Sequence, residues 1–136
     1  MAVQVLTNAS ITISGTDLSS YGNSVSLNYE VDQVEATAFG GNHVFIGGLQ
    51  NNSCEVVLNQ DYAATKVEPT IYPLVGTQVS SIVIIANAGA AVSATNPRYT
   101  LSNAYLAAHT PVAGKVGELV QTTLTFTGGT LVKASV

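Results

Sequence analysis

Hydrophobic and polar side chains alternate along most of this 136-residue chain, and the alternation has period two. In ASITISG (9–15), Ile11 and Ile13 fall on one face, Thr12 and Ser14 on the other. The longest run is NSVSLNYEVDQVEATAF (23–39), where Val25, Leu27, Tyr29 and Val31 alternate with Ser24, Ser26, Asn28, Glu30 and Asp32. GTDLSSYGN, between these runs, has the composition of a turn. SCEVVLNQ (53–60) places Cys54, Val56 and Leu58 together, and TQVSSIVIIAN (77–87) reads as a buried strand. Residues 97–109 and 117–129 alternate again on either side of a glycine-containing connection, TPVAGKVG. Val, Ile, Thr and Tyr supply most of these runs, as a half-buried pleated surface favours.

One segment departs from this period. Within 61–77, Ala63, Ala64, Val67, Ile71, Leu74 and Val75 fall near helical spacing. A short helix starting close to Pro69 fits, because a proline is tolerated in the first turn; Pro73 makes it irregular, and it ends before Gly76. The predicted fold class is mostly β, an antiparallel β-sandwich or open barrel with one short helix. No repeat or linker divides residues 1–136, which read as a single domain.

The stretch EATAFGGNHVFIGGLQNNSCEVVL (35–58) holds no charged residue between Glu35 and Glu55. Gly40 and Gly41 precede an apolar patch, Val44, Phe45 and Ile46, and Gly47 and Gly48 follow it. A phosphate cradle would need a cation and a helix N-terminus after the glycines, and neither follows Gly48. The pattern predicts a glycine-bracketed contact loop, in which glycine permits close approach and positive φ while the apolar residues supply burial. It serves equally an arm that reaches a neighbouring subunit and one that folds back onto its own core.

Charged residues make up 9% of the chain and mean hydropathy is +0.33. So little charge implies a surface covered by other protein, or one rich in Ser, Thr and Asn. Four Lys/Arg against eight Asp/Glu give a net charge of −4, which argues against gripping a nucleic-acid backbone. It leaves room for a surface past which DNA slides without sticking. No basic amphipathic stretch suggests a membrane surface, no signal peptide is visible, and the apolar run 81–92 is interrupted by Asn87. The expectation is a chain made and kept in the cytosol, where the glycosylation sequons at Asn8 and Asn51 are idle.

No catalytic constellation can be assembled. Gly22-Asn23-Ser24-Val25-Ser26 lacks the closing glycine of a nucleophile elbow. His43 and His109 lie far apart with no acidic partner at a telling spacing, so each reads as a structural or surface residue, and with one cysteine they make no zinc site. Cys54 reads as a small core residue. Glu30, Asp32 and Glu35 read as an acidic edge, since a sugar hydrolase needs aromatic platforms and this chain has no Trp. No enzyme activity, cofactor or metal is expected.

The order VSLNYEVDQVEATAFG, IGGLQNNSCEVVLNQD, YAATKVEPTIYPLVGT, VSSIVIIA and NPRYTLSNAYLAAHTPVAGKVGELVQTTLTFTGG resembles the tail tube (major tail) proteins of long non-contractile-tailed bacteriophages, over residues 20 to 129. The closing hairpin into Gly128-Gly129 carries most of the likeness. The resemblance implies a structural virion protein that self-assembles into stacked hexameric rings, forming the hollow tube through which DNA passes without specific binding. It implies synthesis in the host bacterial cytoplasm, residence in the virion tail, contacts with itself and with other tail or head proteins, and no membrane. The contact loop would then reach a neighbouring subunit or ring, with Phe45 as its anchor. Capsid decoration and head–tail connector or completion proteins are the alternative, since they share the small acidic β-rich profile. A carbohydrate-binding module fits less well, for want of Trp and a secretion signal.

Overall fold

The computed structural model describes residues 3–135. Ten strands run in the order β1 (Ser10–Ile13), β2 (Thr16–Asp17), β3 (Gly22–Asn28), β4 (Val31–Glu35), β5 (Phe45–Gln50), β6 (Ser53–Asn59), β7 (Gln78–Ile85), β8 (Arg98–His109), β9 (Gln121–Thr127) and β10 (Thr130–Ala134). One short helix, α1 (Val67–Ile71), runs into a 3-10 turn at Tyr72–Leu74. The main sheet has the order β2-β1-β7-β8-β9-β6-β3, with β10 also paired to β8, and β4–β5 form a separate two-stranded sheet. All strand pairs are antiparallel.

The period-two pattern sorts side chains as alternation predicts in β1, β6 and β9, while in β7 and β8 the buried row shifts by one residue, between Val79 and Ile82 and between Leu101 and Ala104. Ile11 and Ile13, Cys54, Val56 and Leu58, Val79, Ile82 and Ile84, Leu101 and Leu106, and Leu124 and Phe126 form one buried cluster. Burial, with a smaller contribution from neighbouring Glu55, pushes the Cys54 thiol up to about 12, so it stays protonated and inert in the folded protein. Val67 and Ile71 of α1 face the same cluster. Pro69 lies in the first turn of α1, and Gly76 ends the segment at φ +82 with its amide bonded to the Leu106 carbonyl.

β8, at 12 residues, is the longest strand, and it pairs with three others. Its first half pairs with β10 and its second half with β9, so β9 and β10 lie end to end along it. At the junction Asn103 takes φ +60, and Gly128 and Gly129 take φ +76 and +88. A long strand bent in this way lets a sheet fold over onto itself. Gly129 is required by space as well as by φ: a Cβ there would stand 2.5 Å from the Ser102 carbonyl oxygen.

Two expectations need correction. The run 23–39 is not one strand: β3 ends at Asn28 and the chain leaves the main sheet, resuming as β4 in a separate pair. A final strand, β10, follows Gly129, where the sequence pattern was read as ending. Leu131 is buried there while Val132 is exposed, so the alternation continues past the glycines, and the glycines bend the strand rather than stop it.

Gly129→Ala should lower stability by roughly 1–3 kcal/mol from backbone strain alone. With the added clash the expected fall in Tm is roughly 5–15 °C. A Tm unchanged within a degree, by calorimetry, would show that the bend is not held as described.

Candidate assembly surface

Every residue from Asn28 to Asn51 is solvent-exposed. β4 and β5 form a hairpin that continues the β3–β6 pair beyond the edge of the core, with Val34 opposite Ile46 and Glu35 opposite Phe45. The pair gains an extra residue in β5, where Gly47 to Gln50 spans the partners of Gln33 to Val31. Such a bulge adds local twist. Gly48 sits in it, with a would-be Cβ 3.0 Å from Val34 Cγ2 and 3.3 Å from the Asp32 carbonyl oxygen. Near the tip the Ala36 amide donates to the Val44 carbonyl, and the Glu35 carboxylate accepts from His43 Nδ1 and Thr37 Oγ1, each at 2.9 Å. The His43 bond first, then that from Thr37, hold the Glu35 carboxyl below the usual carboxylate range.

The seven sequence-predicted contact residues all lie on this arm. Gly40 and Gly41 make the turn at its tip, where Gly40 alone of the four glycines takes positive φ. Val44 enters β5, and Phe45, Ile46, Gly47 and Gly48 belong to the strand itself, so the feature is a hairpin and not a loop. It does not fold back onto its own core: Val44, Phe45 and Ile46 are 49%, 54% and 54% exposed. Glu30, Asp32 and Glu35 lie on the same arm, which carries no Lys or Arg.

The arm is fastened through Asn52, which is 1% exposed. Its Oδ1 accepts from the Glu30 amide at 3.3 Å, and its Nδ2 donates to Gln50 Oε1 at 2.8 Å and to the Gly129 carbonyl at 3.1 Å. Its own carbonyl accepts from the Gly128 amide, and Gln50 Oε1 also accepts from the Leu131 amide. One side chain thus ties both strands at the base of the arm to the bend between β9 and β10. Sequence reading passed over Asn52, although it stands two residues before Cys54 on the inward row Cys54, Val56 and Leu58. A polar residue on an inward row was the available signal.

The opposite end of β6 meets a second projection. Ser53 pairs with Thr127 but Asn59 with Gln121, so the 110–120 connection lies at the pole away from the arm. Val112, Val116 and Leu119 are exposed there. Its base is held by Tyr62 and Gln60, whose side chains both donate to the Pro111 carbonyl, at 2.6 and 2.9 Å.

His109 lies beneath it as a buried structural residue, and its acidic partner comes from a distant segment. The Glu68 carboxylate accepts from His109 Nε2 at 2.8 Å and from Gln60 Nε2 at 2.9 Å. With Nε2 donating, Nδ1 is free to accept from the Thr122 hydroxyl at 2.7 Å. The partners are 41 and 13 residues from His109, a separation that no local pattern reports. The row of hydroxyl, imidazole and carboxylate copies the order of a catalytic triad. However, Thr122 is fully buried and the His109 side chain is 2% exposed, so no substrate atom can reach the hydroxyl. The row fastens α1 to the ends of β8 and β9. Among the described residues no group of His, Cys, Asp and Glu could hold a metal ion, and no buried side-chain N or O atom lacks a partner.

Asn52→Ala should leave the core folded while loosening the arm. Native-state hydrogen exchange at the Ala36 and Asn51 amides should accelerate by about 5- to 100-fold, the equivalent of about 1–3 kcal/mol for the lost bonds. Unchanged exchange there would show that the arm is positioned without Asn52.

No family model and no curated protein matches the sequence. Solved structures do. A chain of the PVC sheath–tube complex, an extracellular contractile injection system in its extended state, superposes with a TM-score of 0.73 at 16% identity, covering 98% of this chain and 92% of that one. The SPP1 tail tube gives 0.70 at 9% identity, over 95% and 77%. Hcp1 from Flavobacterium johnsoniae gives 0.52 at 14%, over 93% and 98%. At such identities the likeness establishes architecture, and this chain has the fold shared by the tail tube and injection-tube structures.

Proposed function

We propose that this chain is a structural subunit of a phage-like tail, self-assembling into stacked six-membered rings that form a hollow tube for the passage of DNA. The observation that carries the reading is the arm. A hairpin whose two dozen residues are all exposed, bearing Val34, Val44, Phe45 and Ile46, fits a surface that assembly covers. The shared tube fold supports the same conclusion. The reading holds with or without a surrounding sheath, since the similar structures include a sheath–tube complex as well as the SPP1 tail tube.

The outward face of β3, β6 and β9 suits the lumen. Ser26, Glu55 and Thr125 form one cross-strand row, and Ser24, Val57 and Thr123 the next. These three strands contain no Lys or Arg, and Glu55 is their single charge. DNA phosphates meeting hydroxyls and a carboxylate find no cation with which to exchange counterions, so the genome passes without being held. In this role the chain performs no reaction and needs no cofactor.

Phe45→Ser should abolish tube formation while leaving the Tm of the monomer within about 2 °C, as expected for an exposed site. An antibody to the chain should label the shaft of the assembled particle in negative-stain micrographs. Label on the head would replace the tube with capsid decoration. Glu55→Lys should allow tubes to form yet reduce the fraction of particles that release their DNA; undiminished release would place the lumen on another face.

A further inference from the structure

An apolar groove of about 550 Å³ opens between β3 and the β7–β8–β10 part of the sheet. Val25, Leu27 and Tyr29, along and just past β3, make one wall, and Ile84, Tyr99 and Leu131 of β7, β8 and β10 face them. β3 is the end strand of the main sheet, with no strand paired beyond it, and Leu6 also lines the groove. The groove is strand-shaped, because its β3 wall presents side chains at every second residue, about 6.6 Å apart.

Charge indicates the occupant. The chain has four cations, Lys66, Arg98, Lys115 and Lys133, and one of them, Lys133, lies beside the groove. Lys133 is paired with Tyr99 and so shares its face of the sheet, whereas Arg98, paired with Ala134, projects from the opposite face. Neither makes an ion pair among the described residues. The arm has the complementary character, with Glu30, Asp32 and Glu35, no Lys or Arg, and the apolar residues Val34, Val44 and Ile46. A copy's own arm cannot enter, because it departs from the end of the groove wall at Tyr29 and stays exposed along its whole length.

We infer that the groove receives the β4–β5 arm of a second copy, apolar residues in the cleft and arm carboxylates against Lys133. This rests on reading the arm as an assembly element and adds its receptor. Arm and groove are different surfaces, so the contact is head-to-tail: it leaves a free arm at one end and a free groove at the other. Repeated, it closes a ring or extends a filament.

The test is zero-length carbodiimide coupling of the full-length protein at high concentration, using an equal mixture of ¹⁵N-labelled and unlabelled chains. Peptide mass spectrometry then distinguishes links between copies from links within one. The expected result is mixed-isotope coupling of Lys133 to Glu30, Asp32 or Glu35, reduced at least tenfold by Ile46→Ser at unchanged Tm. Mixed-isotope links from the arm carboxylates to Lys66 or Lys115 in place of Lys133 would overturn the groove and leave the arm as an assembly element. The absence of any inter-copy link through the arm would overturn both.

Discussion

The Asn52 carboxamide is the interaction on which this architecture turns. Two irregularities meet at it: the point where β3 and β6 leave the core to become the arm, and the bend where β9 becomes β10. Each exposes backbone groups that a regular ladder would have paired. An amide offers one acceptor and two donors on a short, stiff stem, so it can answer groups from different strands at once. Buried, it has no water to compete for those bonds, and leaving one unmade costs more than making it gains. The direction of the arm and the fold-over of the sheet are therefore set by the same side chain.

That coupling explains how an arm can exist without a core of its own. A two-stranded hairpin is marginal in water, and this one has no third strand to cover either face. Its order comes from the base, through Asn52 and Gln50, and from the tip, through Glu35, Thr37 and His43. Between them lie apolar residues and acids, all exposed.

The opposite pole shows a different use of polar burial. Glu68, His109 and Thr122 bring a helix and two strand ends together with every buried side-chain polar atom partnered. The arrangement has the order of a reactive triad and lacks what reactivity requires, an open path to the hydroxyl. Satisfied and closed, the same groups give rigidity, and the 110–120 connection stands on that base.

Much of the fold was legible in the sequence because strand faces are a local property. A side chain two residues from Ile11, Val56 or Leu124 points the same way whatever the rest of the chain does, so period two alone marked these rows as inward. Pro69 and Gly76 bounded the helix by backbone constraints that are equally local. The glycine-bracketed patch was visible for the same reason, as burial-prone residues with no charge to explain them. Its state was not visible: Phe45 would have alternated in the same way against a core as it does in solvent. Nor could the rows reveal that Asn52 and Thr122, polar residues at inward positions, were matched by partners far along the chain. Within each regular run the sequence by itself determined which way a side chain faces, because pleating needs only neighbours; the phase shifts at Asn103 and between Val79 and Ile82 escaped it. Only the tertiary structure decided what each face meets, because bonds such as His109 to Glu68 and Asn52 to Gly129 exist only once distant strands have been brought within 3 Å or so of each other.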